Sequence, residues 1–129
     1  MYSSLFDSTS IPVLEQVVNF SQARQNVLAG NIANVDTPGY KTRELSVHDF
    51  QNRLKSAIES REVPGPARGA DPVAHVAKNS RLLTRHDECN VSPEQQVSEM
   101  VKNQIQHNTA LTIMISQMRL LQAAIRGEA

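Results

Sequence analysis

Apolar residues recur at three- and four-residue steps in two long stretches, one near each end of the chain. In the first, Leu14, Val17, Val18, Ser21, Val27, Leu28 and Ile32 share one side of a helix. Glu15, Asn19, Gln22 and Arg24 fall largely off that side. Ser10 fits an N-cap, and Pro12 lies in the first turn, where its missing N–H costs nothing. The pattern predicts a helix over about 11–34, roughly 35 Å long.

The second stretch opens with Ser92-Pro93-Glu94-Gln95, an N-cap Ser, a Pro at the first helical position and a Gln at N3, the capping-box arrangement. No Gly or Pro follows until Gly127, which suits a helix C-terminus. The predicted helix, about 93–126, is a rod of roughly 50 Å. One seam along it is Val97, Val101, Gln104, Asn108, Leu111, Ile115, Met118, Gln122 and Ile125. A second is Met100, Gln104, His107, Leu111, Met114, Met118, Leu121 and Ile125. The two overlap, so from Ala110 to Ile125 apolar residues nearly encircle the helix, and such a helix must be buried. The first helix can cover one side only. Each Leu or Ile left exposed forgoes ~1.5–3 kcal/mol of burial, so partners are expected, with Leu111, Ile115, Met118, Leu121 and Ile125 as an intersubunit core.

Between the two, Ser46-Val47-His48-Asp49 leads into Phe50, Leu54, Ala57 and Ile58 and predicts a short capped helix over about 47–59. Residues 60–91 carry most of the remaining Pro and Gly, including Pro64-Gly65-Pro66, Gly69 and Asp71-Pro72. Val73-Ala74-His75-Val76 and Leu82-Leu83 are too short and isolated to argue for a sheet, so this region is expected to be a loosely ordered loop, at most a hairpin when bound. There is no internal repeat. The expected fold is all-α and a single domain over 1–129: two long terminal helices packed antiparallel as a coiled-coil-like pair, with a short helix and an irregular loop between.

The string Leu28-Ala29-Gly30-Asn31-Ile32-Ala33-Asn34-Val35-Asp36-Thr37-Pro38-Gly39-Tyr40-Lys41 ends the first helix. Asn31 and Asn34 share a face near the helix end, where amides can bond exposed carbonyls or a neighbouring chain. Thr37 precedes a proline and is pushed out of the helical region. Pro38-Gly39 suits the centre of a type II turn, Gly supplying the positive φ. The helix therefore stops and the chain swings away over 35–41. Tyr40 then offers an amphipathic ring suited to a subunit contact.

This string resembles the N-terminal signature of flagellar rod, hook and hook-associated proteins: Asn-Ile-Ala-Asn, two variable residues, then Thr-Pro-Gly-Tyr-Lys. Asn31, Ile32, Ala33, Asn34, Thr37, Pro38, Gly39, Tyr40 and Lys41 all match. Within the flagellar basal-body rod proteins, the short length, the continuation Thr42-Arg43-Glu44-Leu45 and the segment Met100–Leu111 look most like the proximal member. A sister rod protein of similar size is the alternative. Where that family carries an acidic, Gly- or Asn-containing turn and a Val-Asp start to the last helix, this chain has Asp87-Glu88-Cys89-Asn90-Val91-Ser92-Pro93-Glu94. The resemblance implies paired terminal helices and export of the unfolded chain by the flagellar type III apparatus without a cleaved signal peptide. It further implies a place in the periplasmic rod of the basal body. The implied partners are copies of the chain, other rod proteins, and the membrane-ring protein with its adaptor; the implied role is to transmit torque.

Composition agrees. Thirteen basic and thirteen acidic residues cancel, which argues against nucleic acid as a partner, since phosphate neutralisation needs a basic surface. Aromatics are 4% of residues and Trp is absent, so a large self-contained core is not expected in so small a chain. No apolar run approaches the ~20 residues of a membrane span, and Met1–Asp7 lacks the basic and apolar regions of a signal peptide. Cys89 has no intrachain partner for a disulfide. His75, His86 and Cys89 make a poor zinc set, because a structural site needs four ligands. Asp87 with Glu88, or Glu94 with Glu99, lacks a nucleophile or oxyanion donor to make an acid–base site. No cofactor, metal, small-molecule substrate or catalytic residue is expected. Met100, Met114 and Met118 suit adaptable packing between unlike subunits, and Arg119 is expected to snorkel or to meet a neighbour's carboxylate. Two other classes remain open: a helical adaptor or chaperone of the export apparatus, and a peptidoglycan-cutting enzyme.

Overall fold

A computed structural model describes residues 9–60, 81–82 and 92–127. The elements are α1 (Ile11–Ala33), β1 (Arg43–Glu44), α2 (Val47–Glu59), β2 (Arg81–Leu82) and α3 (Pro93–Arg126). The fold is all-α, as expected, with α1 and α3 packed against each other. They run antiparallel: moving back along α1 from Asn31 to Ser21, the partners advance along α3 from Gln96 to Asn103.

The helix starts are made differently from one another. Ser46 caps α2 as expected, its Oγ accepting from the Asp49 N–H at 3.2 Å. Ser10 makes no side-chain cap; the Oγ1 of Thr9 takes the Ile11 N–H instead, at 3.3 Å. The capping box expected at α3 is not formed. The Ser92 hydroxyl donates to the Glu94 carboxylate, and the backbone carbonyl of Ser92 takes the N–H groups of Gln95 and Gln96. The charge-assisted bond to the carboxylate fixes the hydroxyl beside Glu94. Gly127 ends α3 in the left-handed region, φ +70°.

One two-residue ladder departs from the sheet-free expectation: β1 and β2 pair antiparallel, Arg43 opposite Leu82 and Glu44 opposite Arg81. The turn after α1 leaves the chain extended, and extended backbone needs partners for its N–H and C=O groups. The rest of the expected loop, 61–80 and 83–91, lies outside the described residues.

The apolar core sits to one side of α1. Phe20, Leu45 and Phe50 are buried together, with Val17, Ala23, Val27, Val47 and Leu54 packed around them. The rings of Phe20 and Phe50 stack with centroids 4.0 Å apart and planes within 5°. Phe20, wholly buried, lies off the stripe read from the sequence, of which Ser21 and Leu28 are buried and Val17 and Val27 pack around the core.

The α1–α3 seam is polar. Its residues on α3 are Gln96, Met100, Asn103, His107, Ala110 and Met114, buried or half-buried at alternating four- and three-residue steps, a coiled-coil spacing. Facing them, α1 buries Gln16, Ser21, Arg24, Leu28 and Asn31. Arg24, expected off the packed side, is 6% exposed and pairs with Glu99 at 2.8 Å. The Asn103 Nδ2 donates to the Ser21 carbonyl and to the Gln25 Oε1, both at 2.8 Å. Val97 and Val101, on the first apolar seam read from the sequence, are instead 49% and 54% exposed. Magnitudes explain the choice. Stripping a buried guanidinium of its carboxylate costs about 3–5 kcal/mol, whereas half-exposing a valine forgoes roughly 1 kcal/mol.

Lys102 and Arg24, each 2.8 Å from the Glu99 carboxylate, hold its carboxyl below the usual carboxylate range. The folded-state value is below the unfolded one, so this contribution is complete above the unfolded pKa, about 4.3. It is lost as pH falls through the depressed folded value. Urea midpoints of the purified chain should therefore decline as pH drops from ~5 towards 3, and Glu99→Gln should flatten that decline. A separate urea series on Phe50→Ala should show a loss of about 3–5 kcal/mol, as for other buried Phe truncations.

Candidate assembly site

The signature string folds into a junction centred on Asn31, which is 2% exposed. Its Nδ2 donates to the Arg43 carbonyl at 2.7 Å and to the Gln96 Oε1 at 3.1 Å. Its Oδ1 accepts from the Arg43 N–H at 3.0 Å and the Tyr40 hydroxyl at 3.2 Å. Two donors and two acceptor positions are all an amide has, so every one is used. By pairing with both backbone groups of Arg43, the side chain acts as a one-residue neighbouring strand and closes an edge of β1. It joins the end of α1, the chain beyond the turn, and the first turn of α3.

Asn34 does the separate work of stopping the helix. Its Nδ2 and backbone N–H both reach the Gly30 carbonyl, at 2.8 and 3.2 Å, and its Oδ1 receives the Thr37 hydroxyl at 3.5 Å. Val35 and Thr37 then donate to the carbonyls of Ile32 and Asn34. The expected turn follows. The Tyr40 N–H donates to the Thr37 carbonyl at 3.1 Å, Pro38 and Gly39 are central, and Gly39 has φ +75°, the type II requirement.

Of the two roles open to the asparagines, the structure shows intramolecular bonds for both. Tyr40, read as a subunit contact, is half-buried and also spends its hydroxyl within the chain. Ile32 is half-buried, and Ala33, Thr37, Pro38, Gly39 and Lys41 are exposed. Gln96 and Arg43, the partners of Asn31, were not singled out in the sequence; the signal for Gln96 was its place on a four-and-three spacing one residue away from the apolar seam.

At the other end, Ile115, Met118 and Ile125 are 51%, 42% and 75% exposed, while Leu111 and Leu121 are half-buried. Ile113 and Leu120, which the sequence reading did not single out, are 44% and 66% exposed. At 1.5 Å per residue, α3 passes the level of Ile11 near residue 113 and continues for roughly 20 Å. Met100 and Met114 are half-buried on the seam, and Arg119 is exposed.

Glu94 is held by Ser92, and Glu99 by Arg24 and Lys102, so neither is paired with the other as an acid–base couple. Among the described residues there is no group of three or more potential metal ligands; His75, His86, Asp87, Glu88 and Cys89 lie outside them. No described helix is long and apolar enough to cross a membrane.

Asn31→Ala removes all four bonds of the junction and leaves the Arg43 backbone groups without it. Unsatisfied buried groups cost about 1–3 kcal/mol each, so urea denaturation should show a loss of at least ~2 kcal/mol. Amide exchange at Arg43 should accelerate in parallel.

Residues 19–41, from the middle of α1 through the turn, match the profile of the family described as flagella basal body rod protein. The chain is 31% identical to the flagellar basal body rod protein FlgB of Aquifex aeolicus, over 92% of this chain and 94% of that protein. Against the proteins of the same name from Bacillus subtilis and Salmonella typhimurium it is 26% identical, over 96% and 88% of this chain and 98% and 90% of theirs. The matched segment is the Asn31 junction with its turn, and the wider likeness runs through both long helices, so this chain belongs to the FlgB family of flagellar basal body rod proteins.

Proposed function

We propose that the chain is a structural subunit of the bacterial flagellar rod, assembled at the proximal end of the rod and carrying torque from the membrane ring outward. The observation that most supports this is the last third of α3, a helix that runs past its partner with Ile113, Ile115, Met118, Leu120 and Ile125 exposed. Left in water these side chains forgo several kcal/mol of burial; packed between subunits they supply it. Leu111, Ile115, Met118, Leu121 and Ile125 are the intersubunit core in this reading. The Asn31 junction holds α1, the turn and α3 in fixed relation, as a subunit transmitting torque needs.

The family relationship supports the remaining features: export of the chain by the flagellar type III apparatus, a periplasmic position in the basal body, and other rod proteins, the membrane-ring protein and its adaptor as neighbours. The mechanism is mechanical and involves no bond making, so the chain needs no cofactor.

In a strain lacking the gene, electron microscopy of basal bodies should show membrane rings without rod, hook or filament; normal flagella would refute the proposal. Ile115→Asp or Met118→Asp should abolish swimming while the purified variant stays soluble with an unchanged circular dichroism spectrum. Normal swimming by both variants would remove α3 from the intersubunit core.

A further inference from the structure

Between Lys102 and Arg119, α3 contains no Asp, Glu, Lys or Arg, so no ion pair between successive turns braces it there. Within that stretch the Thr109 hydroxyl donates to the Ile105 carbonyl and the Thr112 hydroxyl to the Asn108 carbonyl, each at 2.8 Å. The same two carbonyls are the ones that the Thr109 and Thr112 N–H groups need to continue the helix. A carbonyl shared with a hydroxyl holds its N–H less tightly, and threonines bonded in this way bend helices. Ile105, Asn108, Thr109 and Thr112 are all exposed and lie on the side of α3 opposite the seam through Asn103 and Ala110. Two loosened bonds on one side lengthen that side, so the helix curves towards the other, over α1.

Position matters as much as direction. The two threonines stand in the last turns that have α1 alongside, just before α3 passes the level of Ile11 and runs on alone. Past them, Gln117 and Leu121 are half-buried, whereas Leu120, of the same residue type as Leu121 and next to it, is 66% exposed. Ile11, the first residue of α1, is only 8% exposed. A last third of α3 inclined over the start of α1 accounts for both. We propose that Thr109 and Thr112 form a hinge: in the free chain the last third of α3 leans over the start of α1, and it swings outward when neighbouring subunits take up its apolar side chains. The swing on assembly rests on the rod-subunit reading above; the hinge itself does not. The arm from Ile113 to Arg126 is roughly 20 Å long, so a bend of about 20° displaces its end by roughly 7 Å. The arm can thus follow a neighbour without parting the α1–α3 seam.

Spin labels at Asn19→Cys on α1 and Gln122→Cys on the arm, both exposed positions, report the lean by double electron–electron resonance on the purified chain, with Cys89→Ser as background. Thr109→Val combined with Thr112→Val keeps the shape of both side chains and removes both hydroxyls. In that pair the distance distribution should narrow and its mean should lengthen by several Å, as the helix straightens. Thr109→Ser combined with Thr112→Ser keeps the hydroxyls and should retain the native distribution. A native distribution in the Val pair would overturn the hinge. In the host bacterium the Val pair should cut the swimming zone at least several-fold without lowering the melting temperature of the purified chain, and the Ser pair should swim normally. Full swimming by a Val pair whose distances have changed would overturn the swing on assembly. The rod role is tested apart from this, in the strain lacking the gene: normal flagella there would remove that role and leave the distance measurement to decide the hinge.

Discussion

The buried amide of Asn31 is the constraint on which the arrangement depends. A helix end, a turn and a second helix meet there, and each needs backbone or side-chain groups satisfied out of water. One side chain with two donors and two acceptor positions meets all of those needs. Without it, the Pro38-Gly39 turn would still reverse the chain, but the strand after the turn would lose its bonds to the end of α1 and, through them, its link to α3. The position of Leu45 and Phe50, and so of the aromatic stack with Phe20, follows from that strand.

Beside that junction, the division of labour between the two sides of α1 is unusual for so small a chain. The apolar core lies towards α2, where a short amphipathic helix brings a single phenylalanine to be stacked. The long side, towards α3, is held by an ion pair and amides. Ser21 Oγ, Arg24 Nε and Asn103 Oδ1 are buried on it without a hydrogen-bond partner among the described residues. Such groups cost about 1–3 kcal/mol each. The seam is therefore specific before it is strong, and it leaves the apolar residues of α3 turned outward.

The local elements were legible in the sequence because each depends on near neighbours. Ser46 with Asp49, Gly127 past the last turn, and Thr37-Pro38-Gly39-Tyr40 encode their geometry within four residues. The side of α3 that packs was half legible. The second seam read from the sequence carried Met100, His107 and Met114, which lie on the packed side, but periodicity passed over Gln96 and Asn103 and gave Val97 and Val101 equal weight, because it assumes that apolar residues win the interior. Arg24 and Glu99, 75 residues apart, reverse that outcome, and neither residue alone announces the other. The role of Asn31 was half legible. Its spacing from Asn34 marked a helix end, yet its partners Arg43 and Gln96 lie on other elements and carry no local signal.

A polar seam also measures length. If α3 slid by one heptad along α1, Arg24 would face Gln106 or Ser92 in place of Glu99, and a guanidinium would be buried opposite a neutral group. An all-leucine seam would tolerate that slip almost without cost, since one leucine replaces another. Here the misaligned hairpin is penalised by the desolvated charge itself. The spacing between the two long helices is thus set as teeth set a key.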